Sequence, residues 1–296
     1  MRGYYIDFRS KAHRPEWPRD WVPGGRQLYV TIAQWGLGCY ERYLSGEGTA
    51  WLEAAITASD HLVREQERED TRYGQWLHRF PYRHTYRIPA PWPSGMAQGE
   101  GASLLVRVWR ETRDERYPEA ALRALASMRV PVDQGGVRAE LAGGFFPQEY
   151  PSRPASFVLN GGMFALWGCY DVATALDEPR ALELFEEGID TLAVNLARYD
   201  VGYWSRYDLF PHPVTNVASP AYHVLHINQL NAMSRIARRP EFAETAARFE
   251  RYSQSRSAAA HALARKVLFR LLVPRNRLLA HRLPWSHRAT ARGEDS

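Results

Sequence analysis

The feature that most constrains this chain is a pattern that recurs four times: a helix, a short polar turn, and a second helix opening on an aromatic or aliphatic residue. The turns and second starts read SGEGTAWLEAA (45–55), TRDERYPEAAL (112–122), LDEPRALELFE (176–186) and ARRPEFAETAA (237–247). Anchored on Trp51, Tyr117, Leu182 and Phe242, the intervals are 66, 65 and 60 residues. The first helices, IAQWGLGCYERYL, GMAQGEGASLLVRVWRE, NGGMFALWGCYDVATAL and HINQLNAMSRIA, carry small and apolar residues at helical spacing. The second helices are more amphipathic. A helical hairpin cannot bury its apolar face alone, so hairpins at a long period stack into an array or close into a ring. The expected fold is therefore mainly α: an α/α toroid, an incomplete barrel of about four hairpins, over residues 1–264.

Strand character lies between the hairpins, in RYGQWLHRF (72–80), in GGVRAEL with GGFFPQEY (135–150), and in VGYWSRYDLF (201–210). Glycines at 135–136 and 143–144 bracket an expected β-hairpin. Such excursions at one end of a rigid ring shape a cleft, which is where function concentrates. The chain also carries 10 Trp and 16 Tyr, side chains that stack on sugar rings as readily as they fill cores.

Charge is unevenly placed. Arg265 to Arg292 holds eight Lys/Arg and no Asp/Glu, whereas residues 1–264 hold 30 basic and 31 acidic residues. A near-neutral body argues against a nucleic-acid footprint across the domain. The tail, 265–296, reads as a basic amphipathic helix followed by a disordered end, because Pro274 interrupts any long helix. Contact with an anionic membrane surface and docking on the body are the other readings. The start, MRGYYIDFRSK, has no apolar run able to serve as a signal peptide, and no stretch approaches the roughly 18 apolar residues of a membrane span. The expected location is the cytoplasm, with the tail allowing peripheral membrane contact. Cys39 and Cys169 form no metal-ligand spacing and are expected as buried free thiols.

No phosphate loop, dinucleotide turn or paired CxxC is present. His223 and His226 can share a helix face, a geometry that holds zinc, but no third ligand is evident nearby, and a structural or substrate-binding role is preferred. Three segments set ionisable groups in aromatic, Pro-bounded surroundings. They are QEYPSRPASFVLNGG with Glu149 and Tyr150 and a helix starting near Ser156, SRYDL with Arg206 and Tyr207, and YHVLHINQL with Tyr222, His223 and His226 just ahead of a helix. Glu149, flanked by Phe146, Tyr150 and Pro151, is expected to have its pKa raised toward neutrality, which suits a general base. A plainer role for it is pairing with Arg153 or capping a helix.

Taken in order, five stretches make the chain similar to the C-terminal catalytic domain of the heparan/heparosan glucuronyl C5-epimerases. They are YVTIAQWGLGCYERYL (29–44), SGMAQGEGASLLVRV (94–108), EYPSRPASFVLNGGMFALWGCYD (149–171), YDL (207–209) and YHVLHINQL (222–230). The resemblance implies a cofactor-free, metal-free isomerase that inverts carbon 5 of a glucuronate unit in a glycan. It implies Glu149 and Tyr222 as the opposing proton-transfer pair, with Tyr150 and Tyr207 transferring protons or positioning substrate. Removing a proton beside a carboxylate and returning it on the other face requires two such groups, and cations that hold the carboxylate as charge builds. Animal members continue YDL with Arg-His, where this chain has Phe210 and Pro211. Arg206 is the expected substitute, with Arg83, Arg87 and Arg153 behind it. His223, His226, Asn228, Asn160 and Gln98 are expected to bind polar groups of the substrate.

Animal members also carry β-rich domains ahead of the helical part. This chain begins almost directly with it, so part of a long groove is expected to be missing or supplied by a second subunit, and a homodimer is what the resemblance suggests. The competing readings are a glucuronate-polysaccharide lyase, which forms the same carbanion and expels the group at carbon 4, and a catalytically silent glycan-binding α/α domain.

Overall fold

The computed structural model describes residues 3–18, 28–69 and 73–275. Eight helices form four successive hairpins: α1 (Tyr29–Leu44) with α2 (Ala50–Glu65), α3 (Gly95–Thr112) with α4 (Arg116–Ser127), α5 (Leu159–Leu176) with α6 (Pro179–Asn195), and α7 (Pro220–Ala237) with α8 (Pro240–Gln254). A ninth helix, α9 (Arg256–Leu272), follows. The first helices pack side by side, α1 on α3, α3 on α5 and α5 on α7, and each is backed by its own partner. The result is an incomplete α/α toroid, in agreement with the repeat read from the sequence. No described helix is long and apolar enough to cross a membrane.

Local chemistry explains the repetition. The inner helices α3, α5 and α7 each stop on a non-glycine residue in the left-handed region, Arg113 (φ 60°), Asp177 (φ 53°) and Arg238 (φ 50°). The outer helices α6 and α8 then open on Pro179 and Pro240, whose fixed φ suits a first turn and whose missing N–H has no helical partner to lose. The left-handed stop thus appears three times and the proline start twice.

The two central inner helices, α3 and α5, bury most of what they carry. Every residue of α3 from Gly95 to Val108 is buried. Its closest crossing, onto α5, depends on two glycines: a Cβ on Gly99 would lie 2.5 Å from the Ala165 Cα, and one on Gly168 would lie 2.7 Å from the Gly99 carbonyl carbon. One large core runs through the arc, from Trp35 on α1 to Phe164 and Trp167 on α5 and Phe242 and Phe249 on α8. A buried ion pair, Arg107 on α3 with Asp171 on α5, is covered by the N-terminal segment. The Tyr5 hydroxyl donates to Asp171 Oδ1 at 2.7 Å, and the Arg107 guanidinium sits 5.0 Å from the Tyr4 ring centre. Cys39 and Cys169 are buried and unlinked.

The β structure is small and lies between hairpins. Antiparallel pairs join β1 (Glu67–Glu69) to β2 (Tyr73–Gln75), β3 (Leu77–His78) to β6 (Trp92–Pro93), and β4 (Tyr82–Arg83) to β5 (Arg87–Ile88). The expected hairpin near 135–150 is β7 (Arg138–Leu141) with β8 (Gly144–Pro147). Segment 201–210 is not a strand. It is held by single bridges, Asp200 to Ser205 and Arg206 to Val217, because its aromatic side chains pack into two separate clusters on either side.

Helix starts also differ from expectation. α5 begins at Leu159, three residues after Ser156, and α7 already begins at Pro220. The Ser219 side chain caps α7 by accepting from the Tyr222 N–H at 3.4 Å, so Tyr222, His223 and His226 lie within the helix and not ahead of it. In the basic tail, residues 265–272 continue α9, whose Phe269 is fully buried while Leu263, Val267 and Leu271 are exposed. Residues 276–296 lie outside the described residues.

Candidate active site

Glu149 follows β8 directly, in the loop that leads to α5. Two features fix it there. The Gln148 side chain, fully buried, accepts through Oε1 from the Ser156 and Phe157 backbone N–H groups at 3.0 and 3.2 Å. This tie holds Phe157 in the left-handed region (φ 47°), a conformation that persists only where its surroundings over-determine it. Above the carboxylate is Gly161, in the first turn of α5. A Cβ there would lie 2.5 Å from the Glu149 Cβ and 2.8 Å from its Cδ, so the helix can pass over the carboxylate only as glycine.

Glu149 is itself buried, and its Oε2 has no hydrogen-bond partner. Loss of hydration pushes its pKa up to about 7, against a smaller opposing pull from the Tyr150 hydroxyl. The negative charge of Glu149 in turn helps to raise the hydroxyl pKa of Tyr150, Tyr207 and Tyr222, each of which is raised first by burial. The four groups expected to be catalytic therefore face one another. Tyr207 and Tyr222 meet edge to face at 5.0 Å, and Tyr222, in the first turn of α7, is the exposed member at 38%.

Tyr207 is placed by backbone. Its N–H donates to the Asn216 carbonyl at 2.8 Å, and its own carbonyl accepts from the Leu159 N–H at 3.1 Å, at the start of α5. The following Asp208 is fully buried; its Oδ2 accepts from the Tyr86 hydroxyl at 3.1 Å and from Asn216 Nδ2 at 2.6 Å. Tyr150 stacks on Tyr82 at 5.5 Å and on His84 at 4.9 Å.

That stack contains residues the sequence reading missed. Tyr82 on β4 and His84 and Tyr86 in the turn before β5 stack in series, Tyr82 on His84 at 6.3 Å and His84 on Tyr86. His84 lies 4.2 Å from Tyr86 and 6.2 Å from Tyr207, ring centre to ring centre. Its Nε2 is buried with no hydrogen-bond partner, and burial holds its pKa well below the ordinary value. The alternation YRHTYR was the available signal.

The residues expected to bind substrate scatter. Asn160, next to Gly161, is buried with its Oδ1 unpartnered and belongs to the site. Gln98 instead clamps the Trp76 backbone, accepting from its N–H at 3.4 Å. His223 is fully buried between Ser205 (2.8 Å from Nδ1) and the Phe249 carbonyl (2.9 Å from Nε2), with Trp204 stacked at 3.7 Å. His226 is equally buried, 2.9 Å from the same Ser205 hydroxyl. Burial holds the two imidazoles down, at about 4 and about 3. Asn228 is exposed on α7. Arg83 and Arg87 are exposed and paired across their hairpin, and Arg153 lines a separate recess with Ser152, Arg138 and Glu140. Arg206 is half-buried with Nε unpartnered; its charged and phenolic neighbours are Asp208, Tyr199 and Arg198. Among the described residues, no three His, Cys, Asp or Glu side chains come together as a metal-ligating group.

Comparisons with known proteins bear on the family of the chain. The chain is 32% identical over 223 residues to a D-glucuronyl C5-epimerase of Caenorhabditis elegans, covering 69% of this chain and 36% of that protein. It is 29% identical over 177 residues to an uncharacterized protein of Methanocaldococcus jannaschii, covering 58% of this chain and 56% of that one. The chain thus spans about a third to a half of the length of these relatives. Among solved structures, an unsaturated glucuronyl hydrolase from Bacillus sp. GL1, described as responsible for glycosaminoglycan degradation, superimposes with a TM-score of 0.48 at 19% identity, over 79% of this chain and 61% of that one. The model of the family described as D-glucuronyl C5-epimerase C-terminus matches residues 69–251, which include Glu149, Tyr150, Tyr207 and Tyr222, and the chain belongs to that family.

Proposed function

We propose that this chain is an epimerase that inverts carbon 5 of D-glucuronate units in a glycan, giving L-iduronate. The observation that carries this reading is Glu149: a buried carboxylate with its pKa pushed to about 7, facing the hydroxyls of Tyr207 and Tyr222. A base that titrates near neutrality is part-ionised at working pH and still strong enough to take a proton from carbon, the condition under which general catalysis contributes about 10²–10⁴-fold. Tyr222, its pKa raised, stays protonated and can donate.

In the proposed step one of the two groups removes the carbon 5 proton. The C–H electron pair moves into the neighbouring carboxylate, and the opposing group returns a proton to the other face of carbon 5. No atom is lost, and the enzyme ends with the abstracting group holding the proton from carbon 5 and the opposing group deprotonated. Tyr150 hydrogen-bonds Glu149 and tempers its basicity, and Tyr207 lies against Tyr222 and orients it. The family relationship supports the same chemistry.

The test is incubation with heparosan in deuterated water, followed by proton NMR and ultraviolet absorbance. Deuterium at carbon 5 with iduronate signals and flat absorbance is the expected result. Rising absorbance from an unsaturated sugar would convert the reading to a lyase. Silence on heparosan and on a panel of shorter glucuronosides would overturn it.

A further inference from the structure

Helix α9 starts at Arg256, beyond the last residue matched by the family model, yet it reaches the cleft. Phe269, fully buried, anchors it: its ring lies 4.9 Å from that of His212, which in turn packs 4.6 Å from Phe210 and 5.8 Å from Tyr86. The anchoring places Lys266 over Tyr207 and Arg270 beside Phe269, with the exposed Arg275 just beyond the end of the helix. Lys266 Nζ lies 5.6 Å from the Tyr207 ring centre and donates to Asn216 Oδ1 at 2.7 Å and the Val217 carbonyl at 2.8 Å. The Arg270 guanidinium lies 5.7 Å from the Phe269 ring, and its Nη1 is buried with no hydrogen-bond partner. Arg275 exerts its charge on His84, Tyr207 and Tyr222 together.

We propose that Arg270 and Arg275, with Lys266 beside them, form an anion subsite in this cleft and hold the carboxylate of the sugar that reacts at Glu149 and Tyr222. The proposal rests on the epimerase reading for the identity of the anion, and on geometry for the rest. Among the described residues none of the three cations is ion-paired, and both groups that Lys266 binds are neutral. The nearby carboxylate, Asp208, has Oδ2 bonded to Tyr86 and Asn216; its Oδ1 is unpartnered, and its charge reaches Lys266 and Arg270 without forming an ion pair with either. A half-buried, unpaired guanidinium next to other cations is repelled by them and short of hydrogen bonds, and a carboxylate relieves both conditions. The strain shows in the cations themselves: burial, and for Lys266 the neighbouring Arg270 and Arg275, lower the pKa of Arg270 and bring Lys266 down to about 7.

Arg206 cannot serve as well. It lies against Tyr199 and Arg198, with its backbone N–H bonded to the Tyr199 carbonyl at 2.7 Å. The negative charge that develops during carbon 5 deprotonation spreads onto the carboxylate, so cations fixed there stabilise the transition state more than the bound sugar. On this reading α9 is a part of the active site that the chain supplies after the shared family region.

The experiment compares binding of a heparosan tetrasaccharide with that of its carboxyl-reduced form, for the full chain and three variants, alongside deuterium exchange. The wild-type protein should prefer the carboxylated sugar by about tenfold or more, the scale of a charge-assisted hydrogen bond. The double variant Arg270→Gln/Arg275→Gln should lose that preference while binding the reduced sugar as before, which also reports that the fold is intact. Arg270→Lys should recover part of it, and Arg206→Gln should leave it unchanged. A preference that survives in the double variant, or that vanishes in Arg206→Gln, overturns the proposal. So does a wild-type protein without preference. If the preference depends on α9 but no deuterium enters carbon 5, the subsite stands and the epimerase reading falls.

Discussion

Replacing Glu149 by glutamine should make the protein more stable, and only at neutral and higher pH. In the folded chain the carboxyl titrates near 7, whereas its ordinary value is 4.5. Below pH 4.5 the group is protonated both folded and unfolded, and it contributes nothing that depends on pH. Between 4.5 and 7 the unfolded chain releases its proton while the folded chain keeps it, so stability falls as pH rises. Above 7 the penalty is constant. A shift of about 2.5 pH units at about 1.4 kcal/mol per unit gives a penalty of about 3 kcal/mol for the ionised folded form.

Glu149→Gln removes that penalty, because an amide carries no charge to desolvate. It also places an amide where Oε2 has no partner, a cost of about 1–3 kcal/mol that does not vary with pH. The quantity to measure is therefore the variant-minus-wild-type difference at pH 8 less the same difference at pH 4, which cancels titrating groups that do not feel Glu149, Lys266 included, and leaves Glu100, whose pKa the Glu149 charge helps to raise, as a smaller contribution of the same sign. For 296 residues the unfolding entropy is about 0.6 kcal/mol per kelvin, so the differential should appear as about 5 °C in Tm. Calorimetry at the two pH values suffices, with loss of deuterium exchange in the same variant as the functional check. Parallel pH profiles for the two proteins would show that Glu149 is an ordinary solvated carboxylate and would remove the basis for treating it as a general base.

Two further predictions address how the site is held. Gly161→Ala should lower epimerisation by about 10²-fold, since the new Cβ displaces the Glu149 carboxylate and a misplacement near 1 Å is worth that much; an activity within threefold of wild type would show the carboxylate free to move. Arg107→Met should cost about 3–5 kcal/mol in denaturant unfolding, because Asp171 is left as an uncompensated buried charge, and a loss below 1 kcal/mol would mean that Asp171 takes up a proton or is reached by water.

The architecture was legible because its signals are periodic. Four aromatic or aliphatic starts at near-equal intervals correspond to four hairpins, and the glycines of the first helices are the ones that let α3 and α5 cross at Gly99 and Gly168. The residues proposed for proton transfer stood out for a different reason, in that each sits in a short stretch that carries the family resemblance. What could not be read was convergence. Arg206 and Tyr207 are neighbours in sequence, but adjacent residues of an extended segment point to opposite sides, so the nearest arginine in the chain is not the nearest cation to the chemistry. His223 and His226 were expected in a structural or substrate-binding role, and their spacing lets both rings share one buried serine, Ser205. Tyr82 lies on a two-residue strand and His84 and Tyr86 in the turn that follows it, so the alternation in YRHTYR was too brief to single them out.

The position after Tyr-Asp-Leu shows why the cations come from α9. Phe210 is 6% exposed and packs 4.9 Å from Tyr86 and 4.6 Å from His212, closing the apolar cluster beneath Tyr150 and Tyr207. A guanidinium at that position would be desolvated beside aromatic rings, a cost that only a bound anion could offset. With phenylalanine there, the cluster is complete without substrate, and His212 presents a ring edge on which Phe269 docks. The apolar residue that removes a charge from the loop therefore also builds the seat for the helix that brings charges back. Lys266 and Arg270 are four residues apart on that helix, on either side of the Phe269 anchor, so the same contact that fixes α9 sets where its cations stand.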